Sequence, residues 1–200
     1  MMKSSLHHAG SIMPGWSAVA NWVAHVNGVN PSPAMRVWLT DRASLTAKLI
    51  ARSEQFRVRR LAQRRAVCLF DECAPIGLPQ PRKVLERDVF LQCDGRPMVF
   101  AHTVVPLAAT AAQWPLFRRL GERSLGTTLF GDPIVARGAL EYARLHAAHP
   151  LVQRACAALG GAPQALSAPL FARRCLYRRR GAALLVTELF LPAIAALRVK

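Results

Sequence analysis

Residues 84–106 have the sequence VLERDVFLQCDGRPMVFAHTVVP, in which two runs rich in β-branched and aromatic residues flank the dipeptide Asp94-Gly95. Asp-Gly is favoured in two-residue hairpin turns because both central positions need a positive φ. The pattern therefore predicts an antiparallel β-hairpin. A second hairpin is predicted near the end of the chain, where residues 175–179 and 182–191 flank Arg180-Gly181.

The sequence before the first hairpin favours helices. Ser32-Pro33 has the form of an N-cap followed by proline at the first helical position, which predicts a helix through Leu39. Asp41 or Ser44 is expected to cap a second helix. Further elements are predicted by the same rules: a short helix between Gly15 and Gly28, a strand from residue 56 toward 65, a helix over 110–120, a loop over 124–126, a strand over 134–144 and a helix over 151–159. Together these elements predict a single α+β domain, an antiparallel sheet with helices packed on it.

The composition is that of a folded protein with a strongly basic surface. The 200 residues are 52% hydrophobic and 19% charged, which excludes a disordered chain. The 27 lysines and arginines exceed the 11 acids and give a net charge of +16. Such a charge attracts anions, whether nucleic acid, membrane surface or small carboxylate. An alternative is that arginine is simply the base this organism uses on protein surfaces.

The cysteines, the first thirty residues and one apolar segment near the end of the chain bear on the cellular location. The five cysteines include no C-x-x-C pair, so we expect reduced core residues rather than a metal site. The first thirty residues lack the apolar core of a secretory signal, and a cytoplasmic protein is expected. Residues 182–197 are almost wholly apolar, but Glu188 and Pro192 argue against a spanning helix.

Two charged residues fall on apolar strand faces. Alternation along residues 84–92 places Arg87 beside aliphatic residues, and alternation along residues 184–190 does the same for Glu188. Burying either charge alone costs several kcal/mol. They are therefore expected either to pair with each other or to bind opposite ends of one anionic, hydroxylated ligand, Arg87 as a fork to a carboxylate and Glu188 at a hydroxyl or a transferable proton. Apolar surroundings would raise the pKa of Glu188 and suit it to proton transfer.

Several sequence blocks have the order and spacing of a known family. They are Cys93-Asp94-Gly95, Thr103-Val104-Val105-Pro106, Ser124-Leu125-Gly126 with Leu129-Phe130, and LLVTELFLP at residues 184–192. These blocks resemble the chorismate pyruvate-lyases, and the string TELFLP at residues 187–192 is the most specific of them. The resemblance extends over residues 38–192. Residues 145–170 depart from it by carrying extra residues, and the first thirty residues are unmatched.

The resemblance implies a fold, a reaction and a set of site residues. It implies an α+β domain over residues 31–200 with an enclosed ligand cavity, preceded by a leader and short helix over residues 1–30. The implied reaction cleaves chorismate into 4-hydroxybenzoate and pyruvate, the first step of ubiquinone biosynthesis, without metal or organic cofactor. Position by position, the resemblance implies that Arg87 holds the ring carboxylate, that Glu188 lies beside the ring hydroxyl, that the backbone of Leu125 contacts the ligand and that Leu45 lines the pocket.

The resemblance and the composition also lead to expectations about binding partners and about an alternative function. We predict a monomer that binds chorismate and its product, with no nucleic-acid partner and no stable membrane insertion. The second carboxylate of chorismate also needs a cation, for which the sequence offers Arg137, Arg144, Arg173 and Arg174. The alternative function is a non-enzymatic sensor of small carboxylates, built on a related fold.

Overall fold

The chain folds around one antiparallel sheet of six strands, and the computed structural model describes residues 19–161 and 168–197. The strands are β1 (Phe56–Val67), β2 (Lys83–Cys93), β3 (Arg96–Pro106), β4 (Val135–Leu145), β5 (Leu170–Arg179) and β6 (Ala182–Phe190). Their spatial order is β1-β2-β3-β6-β5-β4, so the two predicted hairpins meet at the centre of the sheet, where β3 pairs with β6. The predicted α+β fold is confirmed.

Five α-helices accompany the sheet in the described part of the chain. They are α1 (Pro33–Leu39), α2 (Leu45–Ile50), α3 (Phe70–Cys73), α4 (Leu125–Gly131) and α5 (Pro150–Ala158). The predicted caps of the first two are confirmed, because the hydroxyls of Ser32 and Ser44 accept hydrogen bonds from the first turns of α1 and α2 at 3.3 Å each. Such caps satisfy backbone N–H groups that have no partner inside the helix.

Both predicted hairpin turns have the backbone that their sequences require. Asp94 and Gly95 have φ values of 51° and 76°, and Arg180 and Gly181 have 51° and 80°. Two successive positive φ values are typical of a turn whose twist matches that of the flanking strands. The turns therefore set the registers of β2 with β3 and of β5 with β6.

The sheet is covered on both faces. We call the face that carries Arg87 the front and the opposite one the back. The front packs with Leu39 of α1, Leu49 of α2 and Leu129 of α4 in one apolar cluster. Apolar residues of the back pack with α5 and α3 in two smaller clusters. The protein is thus a sheet between two layers of helices.

A buried polar network lies on the back of the sheet. His102 of β3 places Nδ1 2.5 Å from Asp88 of β2 and Nε2 3.0 Å from Glu72 of α3. Arg154 of α5 contacts Glu86 at 3.0 Å and Asp88 at 3.4 Å. Glu86 and Asp88 share the face of β2 opposite Arg87, and the sequence did not show that helices cover this face. The network links α3 and α5 to the sheet.

The predicted helix between Gly15 and Gly28 is not observed in the described residues. From residue 19 onward the chain forms one β-bridge, between Val23 and Tyr142, and a 3-10 helix over Val26–Val29. Val23, Val26 and Val29 pack against the front cluster, and the 3-10 helix that holds the last two lies against β4. Residues 1–18 of the predicted leader lie outside the described residues, and the boundary at residue 30 stays a prediction.

Two predictions near the middle of the chain are also wrong. Residues 110–120 form no α-helix, only a 3-10 helix over Pro115–Arg119, because proline lacks an N–H and disfavours a helical conformation in the residue before it. The predicted loop over residues 124–126 is instead the cap and first turn of α4. Residues 162–167, which precede β5, are outside the described residues.

The apolar C-terminal segment is a strand followed by a turn, as predicted. Residues 182–190 form β6, and Pro192–Ala196 is a 3-10 helix. Among the residues that the structure describes, no helix has both the length and the apolar character needed to span a bilayer.

Candidate active site

A cavity lies between the front of the sheet and the N-terminal ends of α2 and α4. It contains about 640 Å³ of space unoccupied by atoms, including its opening to solvent. All six strands contribute to its lining through residues that share the front face, among them Val58, Val89, Thr103, Cys175 and Val186. Its charged lining consists of Arg87, Arg137, Arg173 and Glu188. The alternation of strand side chains thus brings all four charged groups to one space.

Arg87 is buried in the wall of this cavity, with only 2% of its surface exposed. Its Nη2 donates hydrogen bonds to the carbonyl oxygens of Gly121 and Arg123 at 3.0 and 2.9 Å. Its Nε has no hydrogen-bond partner among the described residues. Burial, and secondarily the charge of Arg60, lower the pKa of Arg87 to about 10, so it remains a cation at neutral pH. A buried cationic donor without an acceptor is suited to an anionic ligand.

Glu188 lies on the same face of the sheet but does not pair with Arg87. Its Oε2 lies 2.5 Å from Nε of Arg173, directly across from it on β5. The strand β3 separates Arg87 from Glu188, which puts their backbones about 10 Å apart at the usual strand spacing. The alternative in which these two charges form one ion pair is therefore wrong. Glu188 shares its face with the apolar residues Leu184, Val186 and Phe190, as predicted, but the contact of its carboxylate with a guanidinium was not expected.

Arg173 links Glu188 to the end of α1. Besides its contact with the carboxylate, Nη1 of Arg173 donates to the carbonyl oxygens of Trp38, Leu39 and Asp41, at 2.9, 3.2 and 2.7 Å. The carbonyls at a helix C-terminus lack partners within the helix, and a cation is favourable there. The arginine is 2% exposed, so one buried side chain fixes both a site residue and the segment that leads into α2.

Leu45 and Leu125 both line the cavity, each as the first residue of its helix. The two helix starts are held together by a 2.6 Å hydrogen bond between the hydroxyls of Thr46 and Ser124. A Cβ on Gly126 would lie 3.2 Å from the Thr46 hydroxyl, so this close approach favours glycine. The roles of Leu45 and Leu125 in ligand contact stay predictions.

The four arginines considered for a second carboxylate occupy different places. Arg137 and Arg173 line the cavity. Arg174 is on the back, where it pairs with Glu141 at 2.8 Å, and Arg144 is exposed against the ring of Phe171. Of the four arginines, which the sequence could not rank, only Arg137 and Arg173 are therefore placed to bind a ligand in the cavity.

Tyr177 is a cavity residue that the sequence did not single out. It is buried, and burial, followed by the nearby Cys175 and Glu188, raises its pKa, so the phenol stays protonated. The guanidinium of Arg137 lies 6.0 Å from the centre of its ring. Alternation in β5 would have placed Tyr177 on the face of Arg173, but nothing in the sequence showed which face held the cavity.

Metal-binding geometry is not found in the described residues. No three or more His, Cys, Asp or Glu side chains there are grouped so that they could hold a metal ion. All five cysteines lie in the described residues, where each is buried and none forms a disulfide bond.

Known proteins with similar sequences indicate the family to which this chain belongs. A family model described as chorismate lyase matches residues 18–199. A probable chorismate pyruvate-lyase of Ralstonia nicotianae is 52% identical over 158 residues, covering 79% of this chain and 81% of the relative. Another, from Cupriavidus metallidurans, is 45% identical over 177 residues, covering 86% and 80%.

A solved structure shares the fold at much lower identity. The effector domain of PhnF from Mycobacterium smegmatis matches with a TM-score of 0.51 and 18% identity, covering 76% of this chain and 90% of that one. This likeness concerns the fold alone. The sequence matches, by contrast, confirm the resemblance carried by the hairpin, the Ser124-Leu125-Gly126 block and the terminal TELFLP string: the chain belongs to the chorismate lyase family.

Proposed function

We propose that this protein converts chorismate into 4-hydroxybenzoate and pyruvate, as the first step of ubiquinone biosynthesis. The observation that carries the proposal is the charge of the cavity lining, three guanidinium groups and one carboxylate. Their sum of +2 complements a substrate with two carboxylates and an apolar ring, and aliphatic residues form much of the remaining wall. Family membership and the names of the relatives support the same reaction.

Arg87 is proposed to hold the ring carboxylate of the substrate. Its Nε is buried without a partner, whereas its Nη2 already donates to two loop carbonyls. The parallel pair of donors on the side of the guanidinium is Nε and Nη2, so the carboxylate takes the unpartnered Nε–H and shares Nη2 with the loop carbonyls. Because the backbone fixes this guanidinium before the ligand arrives, little side-chain entropy is lost on binding.

Glu188 is proposed to act at the hydroxyl end of the ring. In this reaction the bond between the ring carbon and the enolpyruvyl oxygen breaks as a proton leaves the adjacent carbon, which bears the hydroxyl. The ring becomes aromatic, and the enolate of pyruvate, which leaves with the electron pair of the broken bond, takes up one proton to become pyruvate. Arg173 orients the carboxylate of Glu188 so that it can accept from the hydroxyl and receive the departing proton.

Arg137 is proposed to bind the enolpyruvyl carboxylate. It lies on β4, at the far side of the sheet from Arg87 on β2, and lines the same cavity. Arg173 is less suitable because its Nε already donates to Glu188 and its Nη1 to three backbone carbonyls. Two cations at opposite sides of the cavity can orient a dianion whose carboxylates are on different parts of the molecule.

The test is turnover by the purified protein. Incubation with chorismate and a chelator should yield equal amounts of 4-hydroxybenzoate and pyruvate. Binding of chorismate without product formation would refute the lyase proposal and favour the carboxylate sensor. Absence of both binding and turnover in folded protein would refute the assignment of the cavity to this substrate.

A further inference from the structure

The exposed charge along one side of the protein is uniformly positive over a long stretch of sequence. Between residues 55 and 92 the acids are Asp71, Glu72, Glu86 and Asp88, and none of them is exposed. Each is engaged on the back of the sheet, with His102, Arg154, Arg174 or Trp22 among the contacts or charged neighbours. The bases of the same stretch are exposed, apart from Arg87 in the cavity.

These bases lie at a free edge of the sheet. The strand β1 pairs only with β2, so its other side is not covered by a strand. Register puts Arg60 and Arg65 on the front and Arg59 and Arg64 on the back. We define the basic edge as the exposed residues Arg59, Arg60, Arg65, Arg82 and Lys83 together with Val67 and Phe70. Arg57 and Arg64 are left out because the carboxylates of Glu122 and Glu86 lie 3.5 and 2.9 Å from them.

Two apolar side chains stand at one end of this edge. Val67 and Phe70 are 55% and 71% exposed, and Val67 pairs in register with Lys83. Exposed apolar side chains close to basic residues are a feature of protein segments that bind an anionic membrane surface. Arginine and lysine side chains beside it can extend toward anionic groups while their stems stay against apolar surface.

We propose that the basic edge docks the protein reversibly on an anionic lipid bilayer. The strand β1 is about 40 Å long. A membrane surface that approaches its free edge contacts the arginines of both faces of the sheet at once. Each cation near an anionic membrane adds to the attraction, and Phe70 and Val67 enter the interface between headgroups and acyl chains. This is surface docking without a spanning element.

Nucleic acid fits these features less well. Binding of single strands without sequence preference uses several aromatic side chains in a basic groove, and duplex reading uses a helix or ribbon that enters a groove. The basic edge offers one exposed ring, at one end of a row of cations. Edge arginines also discourage strand pairing between molecules, and that role alone predicts no affinity for lipid.

The experiment is vesicle flotation with the full-length protein. Vesicles of phosphatidylcholine alone are compared with vesicles containing about one quarter phosphatidylglycerol, at roughly 0.05 M and 0.5 M salt. We expect binding to the anionic vesicles at low salt only. Arg65→Gln/Arg82→Gln/Lys83→Gln should reduce the bound fraction at least fivefold. The matched control Arg96→Gln/Arg144→Gln/Arg178→Gln removes the same charge from exposed positions elsewhere and should bind like the wild type.

The apolar contribution is tested separately. Val67→Ser/Phe70→Ser should weaken binding to anionic vesicles at least threefold, whereas Ile134→Ser/Leu159→Ser, at comparably exposed positions, should not. Unfolding curves and chorismate turnover verify that each variant is folded. No binding of the wild type, equal losses in the control variants, or preferential binding to an oligonucleotide competitor at the same salt would each overturn the proposal.

Discussion

Arg87 and Glu188 present opposite charges to the cavity without contacting each other, which leaves both available to a ligand. Arg87→Ala and Glu188→Gln should each lower kcat/KM for chorismate at least about tenfold, equivalent to 1.4 kcal/mol or more of transition-state stabilisation. Arg144→Ala removes an exposed arginine outside the cavity and serves as the control. Wild-type kinetics in both site variants would remove the proposed site, whatever their stability.

Arg173 lines the cavity and also holds Glu188 and the segment after α1 in place, so its replacement should affect stability as well as activity. Arg173→Met leaves a partly buried carboxylate and three backbone carbonyls without their donor, and we expect a loss of about 3–5 kcal/mol in the free energy of unfolding. In a Glu188→Gln background the loss should be smaller by at least about 1 kcal/mol, because no charge is left unpaired. Urea unfolding of the four proteins measures the difference. Strictly additive losses would mean that the ion pair contributes nothing.

Among the elements, the hairpin of β2 and β3 depends on the backbone of its turn. Gly95 has a φ of 76°, which a residue with a Cβ adopts only at a cost. Gly95→Ala should lower the free energy of unfolding by about 1 kcal/mol. Gly131→Ala, at the last residue of α4 and with open space around the added Cβ, is the matched control. If both substitutions lowered the free energy of unfolding equally, the effect of Gly95→Ala would not come from the turn.

The contacts of α3 and α5 with the back of the sheet should depend on pH through His102. Burial lowers the pKa of its imidazole, but the carboxylates of Glu72 and Asp88 outweigh this and raise it to about 10, with Arg154 nearby on the far side of Asp88. Because the pKa is higher in the folded than in the unfolded state, where it is 6.5, the stabilisation is complete below pH 6.5 and is lost as pH rises toward 10.

Urea unfolding at several pH values between 6 and 10 tests this directly. The wild type should lose a few kcal/mol over this range, an order of magnitude set by 1.4 kcal/mol per pKa unit, and His102→Gln should lose clearly less. The variant is expected to be less stable than the wild type at pH 6, where the charged imidazole is fully present. Parallel pH profiles for the two proteins would show that His102 titrates outside this network.

For the whole molecule, the sequence predicted those features that local chemistry determines. Both hairpins, the capped helices and the face on which Arg87 and Glu188 lie follow from turn residues and from alternation. The partner of Glu188 could not be predicted, because it depends on the pairing of β5 with β6 and on α1, whose carbonyls Arg173 reaches. The helices that cover the back of the sheet could not be predicted either. Polar residues on one face of a strand indicate a solvent-exposed face unless the tertiary structure is known.

The net charge of +16 should act on a dianionic substrate before it reaches the cavity. Long-range attraction raises the rate of encounter and is screened by salt, because the Debye length falls from about 20 Å at 0.02 M to below about 10 Å at 0.3 M. Between these salt concentrations kcat/KM for chorismate should fall at least about threefold, while kcat at saturating substrate changes little. Steady-state kinetics at constant pH make the measurement. A kcat/KM that does not respond to salt would mean that encounter is not rate-limiting or that the local charges of the cavity alone guide the substrate.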